Sequence, residues 1–520
     1  MDIKDALFKK RTGIILAAFL CIGLLLRIYR LGFFSLWFDE AVSILNGEFL
    51  FSVAGKWGIL PDRYPSFLSD IPVYLWSRCF GRDEMTLRLF PAFFGVLTIY
   101  LVYVFAKTAF DKRTALTAAF LTAFSPLHVY YSQELRTYSL VTFLSLLAVF
   151  FLLKSLETGD LKFWSGYVFF NVLSLYLHYM MALVLLAQVL FVIIFLKHYR
   201  RNIAKWIIAN ILILVFILPW LINSALLIKE VFVSKGHLWI PGWANRIGIK
   251  SLFFTLKNLI AGYHEVKFMY WPVVIVSLGL VLLGAFRARG RGRQFVLCLS
   301  CFLVPPLSMF LISKSVVWYV DRYVIVSSVF LLTLIAYGLS SLKRVYLAIG
   351  LSFYFFCFVS GFYNYYRAEP ADYQTSVGLA DRHDFREVCN YLSGHLERGD
   401  IILYTPSYSS TASFAYYLRK RGVDGSFLKG LPVILSTPEE GSLVPVAKEF
   451  DFKGCKYREI PYGQLIAGKK RIWLVVSDWF FDSGNYLENE QFNTVPWMET
   501  HYKEIVKKDF KGIVLYLFSA

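Results

Sequence analysis

The segment SLWFDEAVSIL, residues 35–45, sets two adjacent acids, Asp39 and Glu40, among aromatic and aliphatic side chains just after a long apolar run. A carboxylate so placed can act as a general base, taking the proton of a sugar or serine hydroxyl. On a helix, consecutive side chains diverge by about 100°, so the two acids cannot address one atom equally. One would face the reacting group while the other binds a metal, a base or the backbone. The plainer alternative is that the pair marks where the chain returns to water.

Other polar residues recur in comparable settings. SDIPVYLW supplies Asp70, and GRDEMTLRLFP supplies Asp83, Glu84 and Arg88. SPLHVYYSQELRTYSL supplies His128, Tyr131, Gln133, Glu134, Arg136 and Tyr138, and VVWYVDRYVIVSS supplies Asp321, Arg322 and Tyr323. Arg136 and Arg322 carry a permanent charge and a planar donor fork suited to phosphate oxygens. Snorkelling to lipid headgroups is the competing explanation for each. Tyr138 and Tyr323 can hydrogen-bond a phosphate or a sugar, or stand in the aromatic belt of a bilayer.

The elements that must position these groups are membrane helices. The chain has 520 residues, 57% hydrophobic and 18% aromatic, with a mean hydropathy of +0.54, more apolar side chain than a soluble protein of this size needs. A bilayer core of about 30 Å takes roughly 20 apolar residues per helix. Windows of that kind lie near 13–33, 86–108, 112–128, 137–154, 161–176, 177–196, 204–222, 271–287, 294–313, 322–340 and 344–364, about eleven helices in all. The pair around 161–196 is the least clearly divided.

The net charge of +18 does not point to nucleic acid, because it is not gathered on one soluble module. Basic clusters such as Lys9-Lys10-Arg11, Lys197 to Lys205, Arg287 to Arg293 and Lys343-Arg344 lie between alternate helix ends, as cytoplasmic loops require. The amino terminus is then inside, and residues 34–85, 125–136, 223–270 and 313–321 face outward with the carboxyl-terminal region. Arg27 and Arg30, near the outer end of the first helix, are exceptions expected to snorkel to lipid phosphates. Few charges sit mid-span, where an ion-coupled transporter would be expected to carry some.

Two domains follow: residues 1–366 in the membrane, with outer-face loops 34–85 and 223–270, and residues 367–520 as an extracytoplasmic α/β domain. In the latter, DFREVCNYLSGHLERGDIILYTPSY reads as an amphipathic helix, a turn and a buried strand. The runs LPVILS, RIWLVVS and GIVLYLFS follow as further strand candidates. No GxGxxG or P-loop occurs there, so no nucleotide cofactor is expected. Asp478 stands just past RIWLVVS, where α/β sheets often bind ligands, though a structural role is the simpler one. Cys298 and Cys301 read as packing residues in an apolar helix, and Cys389 and Cys455 could pair.

Topology restricts the chemistry. Nucleotide sugars are cytoplasmic, so an outward-facing transferase needs a donor carried through the membrane, which a polyprenyl-phosphate sugar satisfies. Its phosphate lies at the depth of the arginines and leaves without the acid that a glycosidase must supply. A transporter of lipid-linked glycans and a non-catalytic membrane scaffold are the alternatives.

These motifs, in this order, resemble a known family. FDE is similar to the catalytic motif of GT-C-fold transferases. YYSQELRTYSL resembles the SQE-x-R-x-Y signature of bacterial proteins related to protein O-mannosyltransferases and lipid A aminoarabinose transferases. FGRDEMTLRLFPAFFGVLTIYLVY and DRYVIVSSVFLLTLIAYGL resemble the family's second-helix and late arginine-tyrosine segments. The resemblance covers roughly residues 15–340.

It implies a polytopic α-helical membrane protein of the GT-C fold in the cell (inner) membrane, carrying the outer α/β domain. The implied activity is that of an inverting glycosyltransferase. Asp39 would be the base, supported by Glu40. Arg136, Arg322, Tyr323, Tyr138, Glu134 and Gln133 would bind donor phosphate and sugar, and the acceptor would be a glycolipid, a glycan or a protein. The aminoarabinose transferases hold a metal through an acid before a proline and a loop histidine. Asp70, two before Pro72, and His264 resemble those ligands with different flanks, which makes a divalent metal ion a candidate cofactor.

Overall fold

The computed structural model describes residues 3–54, 67–235, 248–263, 267–288, 290–314, 319–367, 383–397, 399–405, 407–423, 432–433, 446–451, 456–461, 468, 470–477, 495 and 498–519. A helix lies on each of the apolar windows. They are α1 (Ile3–Ile28), α4 (Glu84–Ala109), α5 (Lys112–Phe124), α7 (Tyr138–Thr158), α8 (Leu161–Leu177), α9 (Met181–Ile194), α10 (Ile203–Lys235), α12 (Tyr270–Arg287), α13 (Gly292–Ile312), α14 (Val326–Ser340) and α15 (Arg344–Arg367). Four helices occupy the intervening segments: α2 (Phe38–Ala54), α3 (Asp70–Phe80), α6 (Pro126–Ser132) and α11 (Ile249–Ala261).

Seven of these, α1, α4, α7, α10, α12, α13 and α15, are long and apolar enough to cross a membrane. The others on the windows, α5, α8, α9 and α14, have 13, 17, 14 and 15 residues, short of the roughly 20 that span a bilayer core. Local chemistry shortens them. Ser125 caps α6 through its side chain and Pro126 opens that helix, so the expected 112–128 helix ends at Phe124. The 161–196 run divides at His178, between α8 and α9. Asp83 and Asp111 cap α4 and α5 by accepting the amides of Thr86 and Thr114, each at 2.9 Å. Large apolar side chains such as Ile207, Ile211, Leu214 and Phe216 remain exposed on α10, a surface suited to lipid. The chain is a multi-pass membrane protein.

Arg27 does not snorkel. It is fully buried and donates to Ser132 Oγ at 3.1 Å and to the carbonyls of Gly23, Ala123 and Thr122 at 2.9, 3.2 and 3.4 Å. It joins α1 to the ends of α5 and α6, because four acceptors in a dry interior hold a guanidinium better than a distant headgroup. Gly95 on α4 makes room for it, since a Cβ there would collide with Ser132 Oγ and Arg27 Nε.

The chain divides into two compact units, Met1–Leu31 with Leu50–Leu379, and Gly32–Phe49 with Ala380–Ala520. The second unit contains α16 (Phe385–His395) and α17 (Ser407–Lys420). Its strands are β1 (Ile401–Thr405), β2 (Pro432–Val433), β3 (Val446–Asp451), β4 (Lys456–Pro461), β5 (Arg471–Ser477), β6 (Lys503–Phe510) and β7 (Ile513–Ser519). One sheet has the order β1-β5-β7-β6, with β1 parallel to β5 and the other pairs antiparallel. Alternate residues Ile472, Leu474 and Val476 of β5 pack with Leu403, Met498, Tyr516 and Phe518, the period of two expected of a strand. A second sheet, β2-β3-β4, is antiparallel. In the LPVILS run, strand is described only at Pro432–Val433. The edge strand β6, KEIVKKDF, is largely exposed, so it lacked the apolar run that marks β5 and β7. Asp478, Cys455 and His264 lie outside the described residues.

Candidate active site

The acids begin a helix. Phe38 is the first residue of α2, with Asp39 and Glu40 in its first turn. Glu40 is 1% exposed, and its Oε2 accepts the amide of Trp37 at 3.2 Å. That is the returning half of a capping box, in which the third helical residue satisfies the amide just before the helix. Of the roles open to the second acid, Glu40 thus takes the backbone. Asp39 points about 100° around the helix from Glu40 and is half-buried.

Within the first unit, two distant motifs meet. Arg322, on the turn Asp321–Val324 that precedes α14, acts electrostatically on Tyr131, Tyr138, His178, Tyr179 and Tyr263. Arg136 also acts on Tyr138 and His178, while Glu134 acts on Tyr131, Tyr138 and Tyr263. The rings form a chain. Centroids are 5.2 Å apart for Tyr131–Tyr138, 5.9 Å for Tyr138–His178 and 5.0 Å for His178–Tyr323. The Arg322 guanidinium lies 5.7 Å from the Tyr323 ring, within cation–π reach. Arg322 is only 7% exposed. Five of the six expected donor ligands, Glu134, Arg136, Tyr138, Arg322 and Tyr323, therefore share one neighbourhood.

Hydroxyl chemistry extends this cluster. Tyr131 and Tyr263 share a 2.7 Å hydrogen bond, and desolvation pushes both phenols up from their ordinary range. They stay protonated, and one proton of the pair remains for a third group. Asp321 accepts from Thr255 Oγ1 at 2.9 Å and from Asn258 Nδ2. Burial lifts its carboxyl to about 6, against the pull of those two donors.

Gln133, the sixth expected ligand, is committed elsewhere. Its amide nitrogen donates to the carbonyls of Leu26, Arg27 and Tyr29 at 3.1, 3.0 and 2.9 Å, and its oxygen accepts from Tyr365 at 2.6 Å. It closes the end of α1, whose last carbonyls have no intrahelical partner, and its two N–H groups are used up there. Arg88 likewise donates to the Leu31 carbonyl at 3.1 Å. His178, Tyr179 and Tyr263 are the members that sequence reading left out. His178 and Tyr179 interrupt an apolar run at its uncertain division, which was the available signal. Tyr263 precedes His264 in a long loop and carried none.

Asp70 lies 4.0 Å from Arg136 and accepts from Ser69 Oγ at 3.3 Å. Among the described residues no group of three His, Cys, Asp or Glu side chains comes together. His264, the other expected metal ligand, lies outside the described residues.

Residues 73–222 match the family described as dolichyl-phosphate-mannose-protein mannosyltransferase. No curated protein sequence matches the chain. Among solved structures, ArnT from Cupriavidus metallidurans in the apo state superposes with a TM-score of 0.62 at 13% identity, covering 98% of each chain. The same protein bound to undecaprenyl phosphate gives 0.62 at 14% identity, over 97% of this chain and 98% of that one. The oligosaccharyltransferase AglB from Archaeoglobus fulgidus, in complex with an inhibitory peptide and a dolichol-phosphate, gives 0.53 at 13% identity over 98% of this chain and 74% of that one. The chain thus has an ArnT-like membrane fold over nearly its whole length, with a match to the mannosyltransferase family over residues 73–222.

Proposed function

We propose that this protein is an inverting glycosyltransferase that takes a sugar from a polyprenyl-phosphate carrier on the extracytoplasmic face of the membrane and places it on an acceptor hydroxyl or phosphate. The observation that carries the reading is the meeting of Arg136 and Arg322, from motifs far apart in the chain, among buried tyrosines. Two arginines beside buried tyrosines are suited to an oxyanion such as a phosphate, which their planar donor forks can grip. ArnT bound to undecaprenyl phosphate and AglB with a dolichol-phosphate support a lipid-phosphate donor. The alternation of basic loops supports the outward placement.

In the mechanism, Asp39 takes the proton of the acceptor hydroxyl as its oxygen attacks the anomeric carbon from the face opposite the lipid phosphate. The sugar–phosphate bond breaks, and its electron pair leaves on the phosphate. Arg322 and Arg136 stabilise the charge that develops there, and fixed donors in a dry site are worth far more than the same donors in water. Tyr131, Tyr138 and Tyr263 offer hydroxyls to the sugar or phosphate oxygens. Because the phosphate is a good leaving group, no second carboxylic acid is needed. Acceptors of this reaction are glycolipids, glycans or protein hydroxyls of the cell envelope.

The test is transfer from a polyprenyl-phosphate sugar by protein reconstituted in liposomes, with the anomeric configuration of the product read by NMR. The expected outcome is inversion, and a loss of about 10³-fold or more in Asp39→Asn while donor binding persists. Retention of configuration, or full activity in Asp39→Asn, would refute it. Donor translocation without transfer would establish transport instead.

A further inference from the structure

The residues just before Asp39 are held by the α/β part of their own compact unit. Ser35 Oγ donates to Asp384 Oδ1 at 3.2 Å and accepts the backbone amide of Arg386 at 3.2 Å. The Arg386 guanidinium donates to the carbonyls of Gly32 and Phe33 at 3.2 and 2.9 Å. The amide of Leu36 donates to the Tyr417 hydroxyl at 2.7 Å. Then comes the amide of Trp37, which Glu40 accepts. From Gly32 to Trp37, successive polar groups are thus tied down until α2 begins.

The holding groups are themselves anchored. Asp384 caps α16 by accepting the amide of Glu387, and its own amide donates to the Lys511 carbonyl at 3.1 Å, in the turn between β6 and β7. Tyr417 sits on α17 and is buried. Two helices and a hairpin of the α/β domain therefore set where α2 starts.

We infer that Asp384, Arg386 and Tyr417 are positioning residues for Asp39, so that the carboxyl-terminal α/β domain fixes the proposed base. The inference rests on the base role proposed for Asp39. None of the three needs to touch substrate. A base must lie within hydrogen-bond reach of the proton it takes, and a displacement of about 1 Å can cost on the order of 10²-fold in rate. Five hydrogen bonds immediately upstream hold that reach.

The test combines kinetics with hydrogen exchange on the full-length protein in lipid. In Arg386→Ala and in Tyr417→Phe, kcat should fall about tenfold or more. The Kd for polyprenyl phosphate alone should stay within about twofold, since the arginine cluster is untouched. Amides of residues 36–43 should exchange faster in both variants, while those of β5 and β7 keep their protection and show that the domain is folded. Ser35→Ala, which removes only a hydroxyl, should shift both readouts in the same direction by less. Unchanged exchange at residues 36–43, or faster exchange with unchanged kcat per folded molecule, would overturn the inference. Full activity in Arg386→Ala beside an inactive Asp39→Asn sinks the positioning role alone. Full activity in Asp39→Asn sinks the base itself.

Discussion

The start of α2 and the arginine–tyrosine cluster are built in opposite ways. At α2 the chemistry is consecutive: Trp37, Asp39 and Glu40 lie within one helical turn, and Glu40 serves the backbone next to it. The cluster is instead assembled from distant parts of the chain. Tyr131 with Arg136, His178, Tyr263 and Arg322 come from four separate segments, brought together by packing between helices. A base needs a single well-aimed atom, which a capped helix end provides. A phosphate needs charge and donors from several directions, which only a tertiary cage provides.

That contrast can be broken most sharply at Arg322. Arg322→Ala should weaken polyprenyl-phosphate binding by about 10²-fold, the scale of a lost charge-assisted pair. An unchanged Kd in liposome titrations would remove the phosphate role. Glu40 gives the next largest effect. Glu40→Gln keeps an acceptor for Trp37 and should retain most transfer, whereas Glu40→Ala loses the cap, worth about 1 kcal/mol, and should lower kcat about tenfold through Asp39. Equal losses in the two variants would make the charge of Glu40, rather than its capping bond, the essential feature.

Gln133 sharpens the other side. Gln133→Ala removes a donor from the carbonyls of Arg27 and Tyr29 and should cost roughly 1–3 kcal/mol of stability, with kcat/KM per folded molecule unchanged within about threefold. A selective loss of donor affinity would return Gln133 to the binding site. The smallest effect is expected at Asp321. Its folded carboxyl lies near 6, above its ordinary 3.8, so the folded state binds the extra proton between those values. Stability from this group is then full at low pH and is lost as pH rises through about 6. The apparent Tm should be higher at pH 5 than at pH 7.5 by on the order of 1–2 °C, and Asp321→Asn should flatten that difference. An identical pH slope in the variant would show that another group titrates.

Both sites were partly legible. Alternation of basic loops, apolar windows and the SQELRTY and DRY motifs identified the polar residues worth attention, because residue type decides what can hold charge beside lipid. Their roles were less legible. Gln133 and Glu134 are neighbours in one motif, yet the first caps α1 and the second faces the tyrosines. Arg27 read as a snorkelling residue, because the four acceptors that bury it come from α1 itself and from segments about a hundred residues away.

By itself, then, the order of residues determined that the chain is a membrane protein with a mixed α/β domain and where its carboxylates and arginines stand along it. Hydropathy and helix-capping chemistry act over a few neighbouring residues, and such short-range forces can be read along a line. Tertiary structure alone decided that His178 and Tyr263 join Arg322, that Gln133 leaves it, and that residues 32–36 are held by α16 and α17. Those outcomes depend on which buried donors find acceptors across the fold, and a hydrogen bond is indifferent to sequence distance.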